Sequence, residues 1–296
     1  MSVNAKESKK IMERIGFPEE AVETIAACTE RVENNAEFNA LVDEFISNPS
    51  ELDAIIGRLK TLSETLGENQ YTMNTAFLLG ACPALREQYA QKGIDEAIFW
   101  KSIEDLKWKL IECKNCRDIW GTFVPGWYRG FFEMTRFGLG RFQFEEVGFD
   151  ADSYEKLGHK LQRGDRVINF HIPSAGPLTD EKRIESYKLA YKFFGGKDGE
   201  VMPFVCGSWL LYKGHEEFLP ENSNILRFMH DFDIIRSEDK EKFSDSWRVF
   251  AKYSDGPIDD LPEDTSIRRA FKRRLQEGKP TGSGYGVFFF DGEKIL

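Results

Sequence analysis

His171, Asn169 and Glu145 are the side chains of this sequence whose types and placement suit proton transfer. In Arg166-Val-Ile-Asn-Phe-His-Ile172 the apolar Ile168, Phe170 and Ile172 alternate with Asn169 and His171, so on a strand the two polar side chains share one face. Histidine titrates near neutral pH and is the natural general base. The plainer reading of His171 is a core residue whose ring is satisfied by backbone groups. Glu145 is the second candidate base; it shares a strand face with Gln143, while Phe142 and Phe144 take the other.

The segment after His171 suggests an anion site. Pro173-Ser-Ala-Gly-Pro-Leu-Thr179 turns the chain from a strand into a helix that Asp180 and Glu181 open, with Thr179 as N-cap. Backbone N–H groups at such a turn lack helical partners, and with the helix dipole they suit a pyrophosphate. The same residues also make an ordinary strand-to-helix connection.

Other motifs read as structure. Cys113-Lys-Asn-Cys116 ends an amphipathic helix, whereas a redox CxxC opens one after a strand and a zinc site needs further ligands at matching spacing. Gly282-Ser-Gly-Tyr-Gly286 precedes a strand with no helix after it, so its glycines are assigned to a turn or bulge and not to a dinucleotide loop. His215 with Glu216 and Glu217, and His230 with Asp231 and Asp233, match no metal-ligand spacing, and no metal is expected. Arg268-Arg-Ala-Phe-Lys-Arg-Arg274 reads as a solvated basic face or, in its functional version, a phosphate contact. Gly-x-Ser-x-Gly is absent, and Cys206-Gly-Ser208 falls inside a strand, so a serine hydrolase is not indicated.

Two kinds of element must carry these residues. From residue 18 to about 120 apolar residues recur at three and four, predicting a bundle of about five helices. The last of them carries Phe99, Ile103, Leu106, Leu110 and Cys113. After Gly121-Thr-Phe-Val-Pro-Gly-Trp-Tyr-Arg-Gly130 the period changes to alternation. Of the 25 Phe and 25 Gly, 20 of each lie from residue 121 onward, which puts a domain boundary near there and gives domains 1–125 and 126–296. Two strands over 137–148, a flexible polar stretch over 150–165, the strand 166–172 and a helix from 180 to about 194 follow. A strand over 201–212, a short helix at 223–229 and strands at 232–236, 247–253 and 287–290 complete the series.

With 296 residues and 41% hydrophobic content the chain is expected to be globular. A net charge of −10 disfavours nucleic acid or an anionic membrane as partner, and no apolar run is long enough to span a bilayer. Five cysteines, an odd number, and no apolar leader in MSVNAKESKKIMERIG point to a cytoplasmic location.

The sequence also carries a resemblance. Ile168-Asn-Phe-His-Ile-Pro-Ser-Ala-Gly-Pro-Leu-Thr179, Cys206-Gly-Ser-Trp-Leu-Leu211, Leu219-Pro with Ser223-Asn-Ile225, and Trp247-Arg-Val-Phe250 look like the acyltransferase-domain proteins that pair a helical N-acyltransferase N-terminal domain with a GNAT-like C-terminal domain. The resemblance implies an α+β protein, a helical bundle followed by a GNAT-like mixed β-sheet flanked by helices. It implies transfer of an acyl group from acetyl-CoA or another acyl-CoA to a small amine, with no metal. The pantetheine would run between two splayed parallel strands, Ile168 to Ile172 and Phe204 to Leu210, and the pyrophosphate would lie on the turn. Ile172, Ser174, Ala175, Gly176, Leu178, Thr179, Cys206 and Asn224 are then the cofactor-binding candidates. Family members of this kind carry more glycine in that turn; here Pro173 and Pro177 remove two N–H donors. His171 or Glu145 would deprotonate the amine. Because Phe228 and Met229 stand where a helix tyrosine is usual, Tyr212, Tyr253 or water would protonate the leaving thiolate. Asn169, Ser208 and Trp209, with Trp127 and Tyr128 at the junction, are the acceptor-site candidates. The alternative is a non-catalytic ligand-binding or sensing protein that keeps the fold.

Overall fold

The structure, a computed structural model, describes residues 3–253 and 255–296. The chain divides into two compact units, Met1–Gly138 and Leu139–Leu296. The first unit is helical: α1 (Ala5–Ile15), α2 (Glu19–Val32), α3 (Ala36–Ser47), α4 (Leu52–Leu66), α5 (Gln70–Gln91), α6 (Glu96–Ile103), α7 (Asp105–Arg117) and the short α8 (Arg129–Phe132). Side chains start several of these helices. Asn4, Asn35, Asn69 and Asp95 each accept a hydrogen bond from a backbone N–H of the first turn. α5 is buried from Thr72 to Leu85 apart from Pro83, and α1, α2, α3, α4 and α6 pack on it.

Seven α-helices precede residue 118 among the described residues, against the expected five or so. The expected final helix is two, α6 and α7. Glu104 between them keeps right-handed helical angles (φ −54°, ψ −23°), so the apolar spacing runs through a break that it cannot reveal.

The second unit holds β2 (Phe142–Gly148), β3 (Ser153–Lys156), β4 (His159–Gln162), β5 (Arg166–His171), α9 (Asp180–Phe193), β6 (Met202–Ser208), α10 (Asn224–Met229), β7 (Asp233–Lys240), α11 (Ser246–Phe250), α12 (Ser266–Gln276) and β8 (Thr281–Phe290); β1 (Arg136–Leu139) straddles the division. The main sheet has the order β1-β2-β5-β6-β8-β7, and β3 and β4 form a separate hairpin. β5 and β6 are parallel, and β2–β5, β6–β8 and β8–β7 are antiparallel.

Aromatic residues fill one face of this sheet. Phe142, Phe144, Phe170, Phe204 and Phe288 are each at most 1% exposed, and Tyr187 of α9 packs on four of them. Phe204 and Phe288 stack at 5.3 Å with rings nearly parallel. A buried ion pair fixes α9 beside them: Arg183 Nε lies 2.7 Å from Asp231 Oδ2, and the Tyr187 hydroxyl donates to the same carboxylate at 3.0 Å. On the opposite face Val167, Val205, Val287 and Phe289 pack under Leu161 and Tyr154 of the β3–β4 hairpin.

Three expectations need correction. The stretch 150–165 is not a flexible connection; it contains that hairpin, pinned at Leu161 and Tyr154 by apolar packing that local polarity concealed. Residues 247–250 lie in α11 and not in a strand, because over four or five residues an apolar period of two cannot be told from a helical turn. The Gly282–Gly286 run is not a turn before the last strand; it faces the register shift of β7 between Ile234 and Arg236. These glycines lie within β8, where added Cβ atoms would strike the Tyr212 ring at Gly282, the Leu211 carbonyl at Gly284 and the Phe232 ring at Gly286.

Gly284→Ala is therefore expected to lower stability by about 1–3 kcal/mol, read as a lower denaturant midpoint. Gly57→Ala serves as the control: it lies within α4 with nothing within 4 Å of an added Cβ, so its midpoint should rise.

Candidate functional site

Residues directly opposite one another on adjacent strands share a sheet face, which sets the site. Glu145 on β2 stands opposite Asn169 on β5, and Gln143 opposite His171. Asn169 stands opposite Val205 on β6. Glu145, Asn169 and His171 therefore lie on the face away from the phenylalanines, and the structure brings them into contact. His171 Nε2 is 2.6 Å from Glu145 Oε1, and Asn169 Nδ2 donates to the same oxygen at 3.1 Å. An ionised carboxylate only accepts, so against ionised Glu145 it is Nε2 that donates; Asn169 Nδ2 also lies 3.3 Å from Nε2. Both side chains are largely buried but reachable, His171 26% and Glu145 15% exposed.

Beside this group the β5–β6 pairing is short. The paired residues of the parallel β5–β6 ladder are Ile168↔Phe204 and Asn169↔Val205, although β5 continues to His171 and β6 to Ser208. Each continuation follows its other neighbour: His171 pairs with Gln143 of β2, and Cys206, Gly207 and Ser208 pair with Gly286, Tyr285 and Gly284 of β8. The β5–β6 pairing thus ends in the region where the resemblance implied a splay.

The remaining candidates fall in several places. Ile172, Ser174, Ala175, Gly176, Leu178 and Thr179 form the connection from β5 to α9; Gly176 takes a left-handed φ of +92°, and Thr179 precedes α9 without a side-chain cap hydrogen bond. Cys206 is buried in β6 with its thiol pushed up by desolvation, so it serves as packing beside the end of the β5–β6 pairing. Ser208 caps the following turn by accepting from Leu210 N at 3.1 Å. Asn224 starts α10 and accepts from Arg227. Trp209 packs edge-on against Phe271 at 5.7 Å and His215 at 6.0 Å.

Tyr212 is not brought to His171 by any contact. Its hydroxyl donates to Asp239 at 2.6 Å in a polar groove with Lys213, Glu217 and Arg274, and burial together with that carboxylate raises its pKa. Both effects hold the phenol proton. In the first unit Trp127 lies under the Arg136 guanidinium at 4.0 Å, and Tyr128 is 2% exposed with its pKa pushed well up by burial and the nearby Asp105. Tyr128 is therefore a core residue of the helical unit, not an open lining residue.

The competing motifs are used by the structure. Burial raises the thiol of Cys113 to about 12 and raises that of Cys116, the reverse of an activated pair. In the basic run, Arg268 pairs with Asp264, Lys272 binds the Asp259 carbonyl, and Arg274 binds Glu217 and the Pro280 carbonyl. His215 sits in an aromatic cage of Trp209, Tyr212, Phe218 and Phe271, with Nε2 donating to the Trp209 carbonyl at 2.8 Å. Among the described residues no group of three His, Cys, Asp or Glu side chains is placed to hold a metal, and no helix is long and apolar enough to cross a membrane.

One buried cation beside the candidate turn went unnoticed in the sequence. Arg141, in the β1–β2 turn, is buried and donates from Nη2 to the Gly176 carbonyl at 2.8 Å. Its only local signal is a lone cation inside the aromatic run Phe137-Gly-Leu-Gly-Arg-Phe-Gln-Phe144.

Comparison with known proteins identifies the family. Residues 137–288 match the family model of a GNAT-like C-terminal domain, and residues 6–134 that of an N-acyltransferase N-terminal domain. The chain belongs to this two-domain acyltransferase family. Similar solved structures include an acyltransferase in complex with decanoyl-CoA (TM-score 0.75, 23% identity, covering 95% of this chain and 87% of that one). An acyltransferase in complex with decanoyl-CoA and teicoplanin is also similar (0.73, 21%, 95% and 87%), as is an acyltransferase mutant in complex with octanoyl-CoA (0.73, 20%, 98% and 88%). At these identities the likeness shows a shared fold. No curated protein matches the chain.

The caged histidine gives a pH test of the sheet unit. Desolvation lowers His215 from the usual 6.5 to about 4. Between these values the unfolded chain holds the extra proton, so stability is full above pH 6.5 and falls toward pH 4. About 3 kcal/mol should be lost across that window, and chemical denaturation of a His215→Gln variant should show a correspondingly shallower loss.

Proposed function

We propose that this acyltransferase takes its acyl group from an acyl-CoA thioester and delivers it to an amine of a small-molecule acceptor. One observation carries the reading: the pairing of the parallel strands β5 and β6 ends at Asn169↔Val205, and the His171–Glu145 pair stands beside that end. The pantetheine arm, a chain of amides, would hydrogen-bond to the strand edges beyond that end, which places the thioester near His171. Acyl-CoA complexes of similarly folded proteins support this donor.

In the proposed reaction the acceptor nitrogen attacks the thioester carbonyl while Nδ1 of His171 takes the proton. Glu145 holds the ring through Nε2–H and stabilises the imidazolium that forms. Asn169 braces the carboxylate. The tetrahedral adduct collapses with loss of the CoA thiolate, giving an amide and, after proton uptake, free CoA. The imidazolium formed in the first step is a proton source for that thiolate. Tyr212, tied to Asp239, is the weaker candidate.

One similarly folded acyltransferase is known in complex with both decanoyl-CoA and teicoplanin. For this chain an amine acceptor and the acyl length are both part of the proposal. A cytoplasmic location is proposed from the cysteine usage of the sequence alone.

Calorimetric titration with acetyl-, octanoyl- and decanoyl-CoA should reveal at least one ligand, and failure of the folded protein to bind any of them would sink the reading. With a competent pair of substrates, His171→Ala should cut kcat by about 10²–10⁴-fold while leaving acyl-CoA affinity near that of the parent. Glu145→Gln should fall between the two, since it keeps a partner for Nε2–H but removes the charge.

A further inference from the structure

Arg141 stands out among the buried cations of the sheet unit. It is 9% exposed, and its Nε and Nη1 have no hydrogen-bond partner among the described residues. Arg183, at similar burial, is matched by Asp231 and Asp180, and Arg274 by Glu217. Arg141 has only the Gly176 carbonyl. A buried guanidinium without a counter-charge is costly, and desolvation alone drags its pKa down to about 10.

The side chain is held in this position deliberately by its backbone. Gly140 is left-handed (φ +65°), and the Arg141 N–H donates to Ser186 Oγ of α9 at 2.6 Å. The β1–β2 turn is thereby docked on α9, and the guanidinium lies beneath the turn that leads into that helix. Over it, Ser174, Gly176 and Pro177 face solvent.

That turn is deficient as an anion site by itself. Pro173 and Pro177 supply no N–H, and the first turn of α9 carries Asp180 and Glu181, which repel an anion. Asp180 is engaged by Arg183 at 2.8 Å, but Glu181 remains exposed. Positive charge has to come from elsewhere, and Arg141 is the cation whose hydrogen bond reaches the turn without a carboxylate of its own.

We propose that Arg141 is the diphosphate-binding residue of this protein: its unmatched N–H groups, under the Gly176 turn, take the place of the backbone donors that the two prolines remove. The ligand is a diphosphate ester, and on the reading given above it is the diphosphate of acyl-CoA. Binding exchanges the Gly176 carbonyl for phosphate oxygens in a charge-assisted, bidentate contact.

Titrations of parent protein and Arg141→Met with CoA and with an acyl-pantetheine thioester, which lacks the diphosphate, separate this role from a structural one. CoA should bind the variant about 10- to 100-fold more weakly, as expected for loss of charged hydrogen bonds, and acyl-pantetheine should bind both alike. Equal CoA affinities, or equal loss for both ligands, would overturn the proposal. Inorganic pyrophosphate gives a readout independent of the CoA reading, and Arg141→Lys covers the event that the Met variant fails to fold. Pyrophosphate should raise the Tm of the parent and do so less for Arg141→Lys. No rise in the parent overturns the site, whereas a rise through Arg141 without any CoA binding would overturn only the acyl-CoA assignment.

Discussion

Much of this protein follows from the short life of one ladder. β5 and β6 lie parallel and pair at Ile168↔Phe204 and Asn169↔Val205, after which each obeys its antiparallel neighbour. A continuous sheet would consume its own backbone groups there. Here the pairing ends next to the side chains that β2 and β5 place on the same face, Glu145, Asn169 and His171. The pairing of β2 with β5 aligns the carboxylate with the histidine.

Rigidity on the far side of the sheet comes from the aromatic face. Phe142, Phe170, Phe204 and Phe288 pack with Tyr187 of α9 into a core that spans β2, β5, β6 and β8. The Arg183–Asp231 pair and the Tyr187 hydroxyl tie α9 to the segment after α10. Because that ion pair is almost dry, breaking it by losing one partner would strand a charge, which fixes the register of α9 against the sheet. The turn entering α9, and with it Gly176 above Arg141, inherits this fixed position.

The uneven distribution of Phe and Gly in the sequence has a physical reading in these terms. Phenylalanines supply the broad sheet face, and the glycines of β8 admit Tyr212, Leu211 and Phe232 against the strand. The alternation around Asn169 and His171 was legible because strand periodicity is local, and so was the helix after Thr179. The β3–β4 hairpin was not, since its strands are polar except where Leu161 and Tyr154 meet the sheet. The helical form of 247–250 was hidden by shortness. In the helical unit the apolar period was readable, while the break at Glu104 was invisible because the backbone there stays helical.

The sequence by itself determined the kinds of element, the change from helix to sheet, the face that Asn169 and His171 share, and the family to which its motifs point. Each depends on neighbours in the chain or on words of several residues. Only the tertiary structure decided which carboxylate meets His171, where the parallel ladder ends, and which groups are used elsewhere, as Tyr212 is by Asp239. It alone disclosed Arg141 beneath Gly176, 35 residues away in the chain. Burial and counter-charge are sums over distant neighbours, so an arginine without a carboxylate cannot be recognised until the fold has brought those neighbours together.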